Sequence, residues 1–178
     1  MLKLQHLIGL PLIAGTTGTT VGKVKDIWFD EAWRLRGIIA DFRGWLGKRV
    51  YAVDWDDVQT CGRDALILAG DDAVRRLSAG EVIRCFSWGE SKLRDRPVLT
   101  TDGEQLGRIS DVYFDPIKGT PIIGYELTDG FISDVMEGRH WLRVAQFAEE
   151  IMLGEEAVLV PESARHELHN MTTSESDR

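Results

Sequence analysis

The sequence of 178 residues has few of the residues that build metal centres, disulfide frameworks and nucleophilic sites. It contains two cysteines and four histidines. Cys61 and Cys85 lie far apart, with no CxxC pair and no histidine at ligand spacing, so we interpret them as free thiols in a reducing compartment. A GxSxG nucleophile motif, a P-loop and a GxGxxG motif after a strand are also absent. We therefore expect no enzymatic activity, no metal and no cofactor.

Long apolar runs and a positive net charge are missing as well. No stretch of 18 apolar residues is present, so we expect no membrane insertion, and the short apolar stretch at the N-terminus is interpreted as a strand rather than a signal peptide. The formal net charge is −8; residues 1–80 carry 11 basic and 10 acidic residues, and residues 81–178 carry 10 and 19. An acidic chain is not expected to contact nucleic acid directly. We expect a cytoplasmic protein.

What the sequence does contain is one passage that occurs twice. Residues 21–30 read VGKVKDIWFD and residues 106–115 read LGRISDVYFD, at an offset of 85. Every position is identical or similar except the pair Lys25 and Ser110. Similarity continues on both sides of this passage, with the offset growing only in the loops. The pattern predicts two copies of one small fold.

Each copy has the sequence pattern of short strands joined by tight turns. In the repeated passage, β-branched and aromatic residues alternate with polar residues at a period close to two. In the second copy, a turn signal precedes this passage, Asp102-Gly103, and another follows it, the Asp-Pro-Ile-Lys-Gly segment at 115–119. No long amphipathic helix is predicted. The expected fold class is all-β, with two small β-barrels in tandem and short helical turns.

The same reading predicts four segments along the chain. The first barrel spans residues 1–72, a connector spans 73–90, the second barrel spans 91–162, and a disordered polar tail spans 163–178. In the connector, the apolar spacing of Ala73, Val74 and Leu77 predicts a short helix, followed by a strand at 81–86. In the tail, we interpret His166 and His169 as solvated rather than as a metal pair.

Residues that recur in register in both copies are expected to serve the fold. Their carboxylates could suggest acid–base or cation chemistry, but recurrence beside turns favours hydrogen bonding to the backbone. These structural motif residues are Gly22, Asp26, Asp30, Gly107, Asp111 and Asp115. For Asp54, Asp56 and Asp57 around Trp55, we favour the N-cap of a short helical turn over a Ca²⁺ loop.

These motifs resemble the PRC-barrel family. The residues that carry the resemblance in the second copy are Asp102-Gly103, Gly107, Asp111, Phe114-Asp115, Gly124 and Gly138-Arg139. The family includes the cytoplasmic domain of the photosynthetic reaction-centre H subunit and the ribosome-maturation factor RimM. The resemblance implies a PRC-type barrel, a role as an adaptor or scaffold, and no catalytic residue set. This chain lacks the membrane helix of the H subunit, and a second barrel replaces the N-terminal domain of RimM.

The leading hypothesis is therefore a non-catalytic protein that binds another protein. We predict a contact surface on the loops, where tryptophan lies beside arginine as in interaction hot spots. Its residues are Trp33, Arg43, Trp45, Phe131 and Arg139. The competing interpretation is that these aromatic residues pack against the other barrel or close a barrel end. Two alternatives to the adaptor role are a ribosome-maturation factor similar to RimM and a small-ligand-binding barrel with a pocket at Asp54, Asp57 and His140. Self-association as a homodimer is also open.

A basic cluster in the first half has two interpretations. It comprises Arg34, Arg36, Arg43, Lys48 and Arg49. We interpret these residues first as solvated strand and loop positions, and second as a patch that binds an acidic partner.

Overall fold

A computed structural model describes residues 1–41, 50–78, 80–82, 84–89, 91–128, 139–147 and 150–170. The chain forms two compact units. Unit 1 comprises Met1–Lys92 together with Asp115–Pro121, and unit 2 comprises Leu93–Phe114 together with Ile122–Arg178. Unit 1 thus includes a turn that belongs to the second repeat in sequence.

The strands of unit 1 are joined by tight turns and by single turns of 3-10 helix. The strands are β1 (Leu2–Lys3), β2 (Pro11–Ala14), β3 (Thr20–Phe29), β4 (Leu35–Asp41), β5 (Val50–Asp54), β6 (Val58–Cys61), β7 (Leu66–Leu68), β8 (Val74–Leu77) and β9 (Arg84–Cys85). The 3-10 turns are Leu4–His6, Trp55–Asp57 and Asp71–Ala73. Seven strands follow one another in the order β6-β7-β2-β3-β4-β5-β8, and β9 pairs with β3.

Unit 2 repeats this arrangement. Its strands are β10 (Pro97–Thr100), β11 (Gln105–Phe114), β12 (Ile122–Thr128), β13 (His140–Arg143), β14 (Met152–Leu153), β15 (Val158–Val160) and β16 (Leu168–Asn170). Its 3-10 turns are Ala145–Phe147 and Glu162–Glu167. The strand order is β14-β15-β10-β11-β12-β13-β16, the same as in unit 1. The prediction of an all-β chain with two small barrels is confirmed, and each sheet is curled into a half-barrel.

The two long strands, β3 and β11, occupy equivalent places and carry equivalent core residues. Ile27 and Phe29 of β3 are fully or almost fully buried, as are Val112 and Phe114 of β11. Burying one such side chain contributes about 1.5–3 kcal/mol of hydrophobic free energy. The alternation that predicted these strands therefore corresponds to one face packed in the core.

The position at which the repeated passages differ has a structural explanation. The register of β3 on β4 shifts between Val24 and Asp26, and the register of β11 on β12 shifts between Ile109 and Asp111. The residue inside each shift, Lys25 or Ser110, is the extra residue of a β-bulge. A bulged residue does not take part in the regular ladder, so its identity is less constrained than that of its neighbours.

The structure differs from the predicted segments in the connector. Residues 74–77 form β8, which pairs antiparallel with β5, instead of a helix. The spacing of Val74 and Leu77 fits either structure, and the unpaired edge of β5 supplies the backbone partners that favour a strand. Of the predicted strand at 81–86, Arg84 and Cys85 form β9.

The structure also differs in the predicted tail. Residues 163–170 are ordered: they complete a 3-10 helix and then form β16, which pairs with β13. Ala164 is fully buried. His166 and His169 of this segment are exposed, as expected for solvated side chains, but backbone pairing with a sheet edge does not require apolar ones. The rest of the predicted tail, residues 171–178, lies outside the described residues.

Within the described part of the chain, no helix has the length and apolar character needed to cross a membrane.

Candidate functional site

The recurring carboxylates that follow the bulges are buried. Asp26 is 1% exposed and Asp111 is 0% exposed. Each accepts a hydrogen bond of 2.8 Å from the next backbone N–H, that of Ile27 or Val112. The Oδ2 atom of Asp26 also accepts the N–H of Ser87 at 2.8 Å. Burial raises the pKa of Asp26, and the hydrogen bonds from Ser87 and Ile27 oppose that shift.

The remaining motif residues also have structural contacts. Asp30 accepts the backbone N–H groups of Ala32 and Arg34, both at 2.9 Å, and so closes the turn after β3. Gly107 has a φ of 146°, and a Cβ there would lie 3.0 Å from the carbonyl oxygen of Thr128. Only glycine meets both demands without strain.

The last two motif residues are Gly22 and Asp115. Gly22 is buried on β3 opposite Leu12 of β2. Asp115 lies 3.3 Å from the N-terminal ammonium group of Met1.

Of the predicted contact surface, the structure describes Trp33 and Arg139. Trp33 is 3% exposed, with a φ of 57° that turns its ring inward against Phe29, at 5.8 Å between ring centroids. The guanidinium of Arg84 covers the ring at 5.2 Å. Trp33 is therefore a packed residue and not an exposed contact; the sequence left its exposure open, with packing as the competing interpretation. Arg43, Trp45 and Phe131 lie outside the described residues.

Arg139, the last residue of the predicted surface, belongs to a polar cluster in unit 2 that the sequence did not reveal. Its Nη1 atom donates to Oε1 of Glu126 at 3.0 Å, and Glu126 is 1% exposed. Ser110 Oγ donates to the same carboxylate at 3.2 Å and Tyr113 OH at 3.3 Å. Burial and the charge of Glu126 raise the pKa of Tyr113. These contacts give a buried charge its partners, as burial demands.

In unit 1, a groove with a volume of about 340 Å³ opens beside β8. Its lining residues come from five segments of the unit and combine an indole ring with charged and aliphatic side chains. They are Trp28, Arg36, Ala52, Asp54, Arg75, Leu77 and Glu81. Arg75 and Leu77 alternate on β8 and therefore share one face of the sheet.

Asp54, the last residue of β5, organises the charges of the groove. Its Oδ1 atom lies 2.7 Å from Lys118 Nζ and accepts the backbone N–H of Asp56 at 3.1 Å. Its Oδ2 atom lies 3.5 Å from Arg75 and 3.9 Å from Arg36. Burial acts to raise the pKa of Asp54, but the hydrogen bonds and the positive charges outweigh it and lower the pKa. The predicted N-cap role of Asp54 is confirmed by its bond to Asp56.

Lys118 reaches this site because the turn Asp115–Pro121 is part of unit 1. Trp55 Nε1 donates to the carbonyl oxygen of Pro116 at 2.9 Å, and the N–H of Gly119 donates to the carbonyl oxygen of Leu35 at 2.8 Å. Lys118 also pairs with Asp56. These bonds fix the turn, and they hold the ammonium group against Asp54.

The groove lies where the two repeats differ. Strand pairing places Ala52 opposite Ile39, and Trp141 opposite Glu126, in equivalent positions of the two sheets. In unit 2, the ring of Trp141 packs edge-on against Tyr113 and stacks on His169, both at 6.3 Å. Unit 1 has alanine in place of this tryptophan, and Ala52 lies in a core cluster with Val82 and Cys85, against which Trp28 and Leu77 pack at the edge of the groove.

The two cysteines and the predicted ligand pocket were also located in the structure. Burial raises the pKa of both thiols, Cys61 and Cys85, which disfavours a nucleophilic thiolate. No group of three or more metal-ligating side chains occurs in the described ranges. Asp54 and Asp57, which the sequence suggested for a ligand pocket, share Arg75 in unit 1, whereas His140 lies on β13 in unit 2.

Sequence reasoning missed most of the groove. It interpreted Arg36 first as solvated, whereas the structure places its guanidinium over the ring of the partly buried Trp28. Arg75 and Lys118 were not singled out. The available signal was the aligned pair Ala52 and Trp141, a large difference in side-chain volume between two copies of one fold.

Comparison with known proteins agrees with this architecture. A model of the PRC-barrel domain matches residues 1–74 and again residues 90–166. The chain is also similar to the uncharacterized protein YrrD of Bacillus subtilis (strain 168), with 27% identity over 143 residues, which cover 80% of this chain and 79% of YrrD. The chain belongs to the PRC-barrel domain family and contains two copies of that domain.

Proposed function

We propose that this protein is a non-catalytic adaptor, located in the cytoplasm, in which unit 1 binds a partner protein through the groove beside Trp28. The observation that carries the proposal is the asymmetry of the repeats. A groove formed by residues that differ between two copies of one fold is not required by that fold, so selection for the fold alone does not account for it.

The composition of the groove supports a protein partner. Trp28 and two arginine side chains converge on it, and tryptophan and arginine dominate the energetics of protein interfaces. Arg36 lies over the Trp28 ring, with its guanidinium carbon 5.6 Å from the ring centroid. Such a contact limits the freedom of both side chains before a partner arrives, which reduces the entropy lost on binding.

Photo-crosslinking tests this proposal. Arg75 is replaced by a photoreactive phenylalanine analogue in the full-length protein, and Arg76 is replaced in a matched control. Both side chains are exposed, but they are neighbours on β8 and therefore point to opposite faces of the strand. We expect position 75 to crosslink to a specific protein, which position 76 does not capture.

The captured protein is then produced in recombinant form, and its affinity for wild type is compared with that for Arg75→Glu and Arg76→Glu. A selective loss with Arg75→Glu supports the adaptor role. Equal affinities for the two variants would remove the groove as the contact site. A second copy of this chain as the captured protein would make the groove a homodimer surface, and a ribosomal protein would favour the role similar to RimM.

A further inference from the structure

We propose that the groove of unit 1 recognises an acidic side chain, Asp or Glu, in a partner peptide segment, by placing its carboxylate between the guanidinium groups of Arg36 and Arg75. An apolar side chain next to it in the peptide packs against Leu77 and the Trp28 ring. This inference rests on the proposed function and specifies the chemistry of the partner.

The two acidic residues of the groove already have strong partners. Asp54 is held by Lys118 at 2.7 Å and by the N–H of Asp56. Glu81 accepts two hydrogen bonds of 2.7 Å, from the backbone N–H and the hydroxyl of Ser78. Neither carboxylate therefore depends on the arginine side chains for its hydrogen bonds.

The two guanidinium groups are in the opposite situation. Their nearest carboxylate oxygens lie at 3.5 Å and 3.8 Å for Arg75, on Asp54 and Asp57, and at 3.9 Å for Arg36, on Asp54. These distances are too long for strong hydrogen bonds. Within the described ranges, neither guanidinium donates a hydrogen bond. The side chains of Arg36 and Arg75 are 41% and 56% exposed.

A guanidinium without hydrogen bonds is suited to a carboxylate. Its planar set of N–H donors matches the two oxygens of a carboxylate, and a bidentate pair of this kind is stronger and more directional than an ammonium–carboxylate pair. Arg36 is also oriented by its position over the Trp28 ring. The donors of Arg36 and Arg75 converge because both guanidinium groups approach the same oxygen, Oδ2 of Asp54.

The apolar part of the groove selects what accompanies the carboxylate. Ala52 is buried on β5 opposite Arg75 of β8, and Leu77 follows two residues after Arg75 on the same face. Leu77 and the Trp28 ring pack against the cluster that contains Ala52, and their exposed parts form an apolar surface beside the two charges. A volume of about 340 Å³ accommodates one or two side chains, at the small end of ligand pockets.

The charge of the whole chain does not assist this recognition. The net charge is −8, so long-range attraction toward an acidic segment is absent and the local arrangement must provide the selectivity. Because both guanidinium groups are partly exposed, we expect binding to weaken as the salt concentration rises.

The test uses two blocked pentapeptides and the full-length protein. The probes are the acetylated, amidated peptides Ala-Leu-Glu-Leu-Ala and Ala-Leu-Gln-Leu-Ala, titrated into ¹⁵N-labelled protein and followed by NMR. The indole resonance of Trp28, assigned with a Trp28→Phe variant, reports on the groove. We expect the Glu peptide to shift this resonance and to bind at least about tenfold more tightly than the Gln peptide, since it alone forms charge-assisted bonds.

Matched variants assign the effect to the guanidinium groups. Arg36→Gln and Arg75→Gln are each expected to weaken binding of the Glu peptide several-fold, and Arg76→Gln to leave it unchanged within about twofold, the range expected for a surface charge that makes no contact. The indole spectra of the variants show whether each has folded, and the Glu-to-Gln comparison on wild type needs no variant.

The outcomes separate this inference from the proposed function. The acidic side chain is overturned as the ligand if the Glu and Gln peptides bind equally. It is also overturned if the peptide Ala-Leu-Leu with a free C-terminal carboxylate binds more tightly than the Glu peptide. Either result holds even if crosslinking at position 75 captures a protein. Selective binding of the Glu peptide, together with a protein partner that does not depend on Arg75, supports the carboxylate site and overturns the adaptor role of the groove.

Discussion

The same face of the sheet is built differently in the two units. In unit 1 the row across β3, β4 and β5 reads Trp28, Gly37 and Asp54, and in unit 2 the row across β11, β12 and β13 reads Tyr113, Gly124 and Arg143. The next row reads Asp26, Ile39 and Ala52 in unit 1, and Asp111, Glu126 and Trp141 in unit 2. The backbone and its bulges are shared, while the chemistry of the face is not.

The tryptophan on this face changes strand between the units. A Cβ at Gly37 would lie 2.6 Å from Trp28 Nε1, and a Cβ at Gly124 would lie 2.7 Å from Trp141 Nε1. Each indole therefore packs on its glycine, but it comes from β3 in one unit and from β13 in the other. Both units place an indole ring over this glycine, and a different strand supplies it in each. Because the indole of unit 1 comes from β3, the position on β5 that corresponds to Trp141 is occupied by Ala52, which lines the groove.

The largest effect is expected at the shared glycine. A Cβ at Gly37 would lie 2.1 Å from the carbonyl oxygen of Val53, whereas the closest backbone atom at Gly124 is the oxygen of Leu142 at 3.0 Å. We expect Gly37→Ala to destabilise the protein by about 3 kcal/mol or more and Gly124→Ala by about 1–3 kcal/mol. Urea unfolding followed by circular dichroism measures both.

Gly80→Ala is the control for this pair, since no atom of the described residues lies within 4 Å of a Cβ at that position. Equal losses for Gly37→Ala and Gly124→Ala would show that the backbone approach in unit 1 is not tighter than that in unit 2.

The second effect concerns the buried polar cluster of unit 2. Glu126→Ile copies Ile39 of unit 1, but it removes the acceptor for Arg139, Ser110 and Tyr113. We expect a loss of about 2–4 kcal/mol in the free energy of unfolding, because donors that are desolvated in the fold lose their partner. A neutral result would mean that the apolar face of unit 1 suits unit 2 equally well.

A third effect is pH-dependent and involves Asp54. Its pKa is lowered in the folded state, so its ionised form stabilises the fold above the pKa of the unfolded chain, and this contribution disappears as the pH falls through the folded pKa. We expect Asp54→Asn to cost about 1–2 kcal/mol at pH 7, and the difference from wild type to shrink below the ordinary Asp value of 3.8.

The control for Asp54→Asn is Asp26→Asn. Because burial raises the pKa of Asp26, its ionisation opposes folding above that pKa, and the pH dependence of this variant relative to wild type should have the opposite sign. Unfolding curves recorded from pH 3 to pH 7 compare the two. The same sign for both variants would contradict the different environments assigned to these carboxylates.

The smallest effect is expected at the bulge. Lys25→Ser gives unit 1 the bulge residue of unit 2, and we expect a change within about 0.5 kcal/mol, as for most surface substitutions. Ser110→Ala should cost more, about 1 kcal/mol, because Ser110 Oγ donates to Glu126. Thermal unfolding compares the two, and a larger loss for Lys25→Ser would show that the bulge residue matters for the fold in unit 1.

Features that depend on neighbouring residues in the chain could be predicted from the sequence, and features that depend on distant residues could not. The alternation in residues 21–30 and 106–115 predicted β3 and β11 because strand periodicity is written in consecutive residues. It did not predict β8 and β16, since these short strands gain their backbone partners from β5 and β13, far away in the chain. The sequence also left open whether Trp33 is exposed or packed, because a positive φ at a non-glycine residue has no clear sequence signal.

The sequence by itself determined that the chain has two copies of one all-β fold and that it belongs to the PRC-barrel family, since duplication and strand periodicity are properties of the order of residues. Only the tertiary structure decided which side chains meet in the groove. Arg36, Arg75 and Lys118 come from three separate segments, and the folding of the chain alone brings them around Asp54. Electrostatic and packing contacts depend on distance in space, and separation along the chain does not reveal that distance.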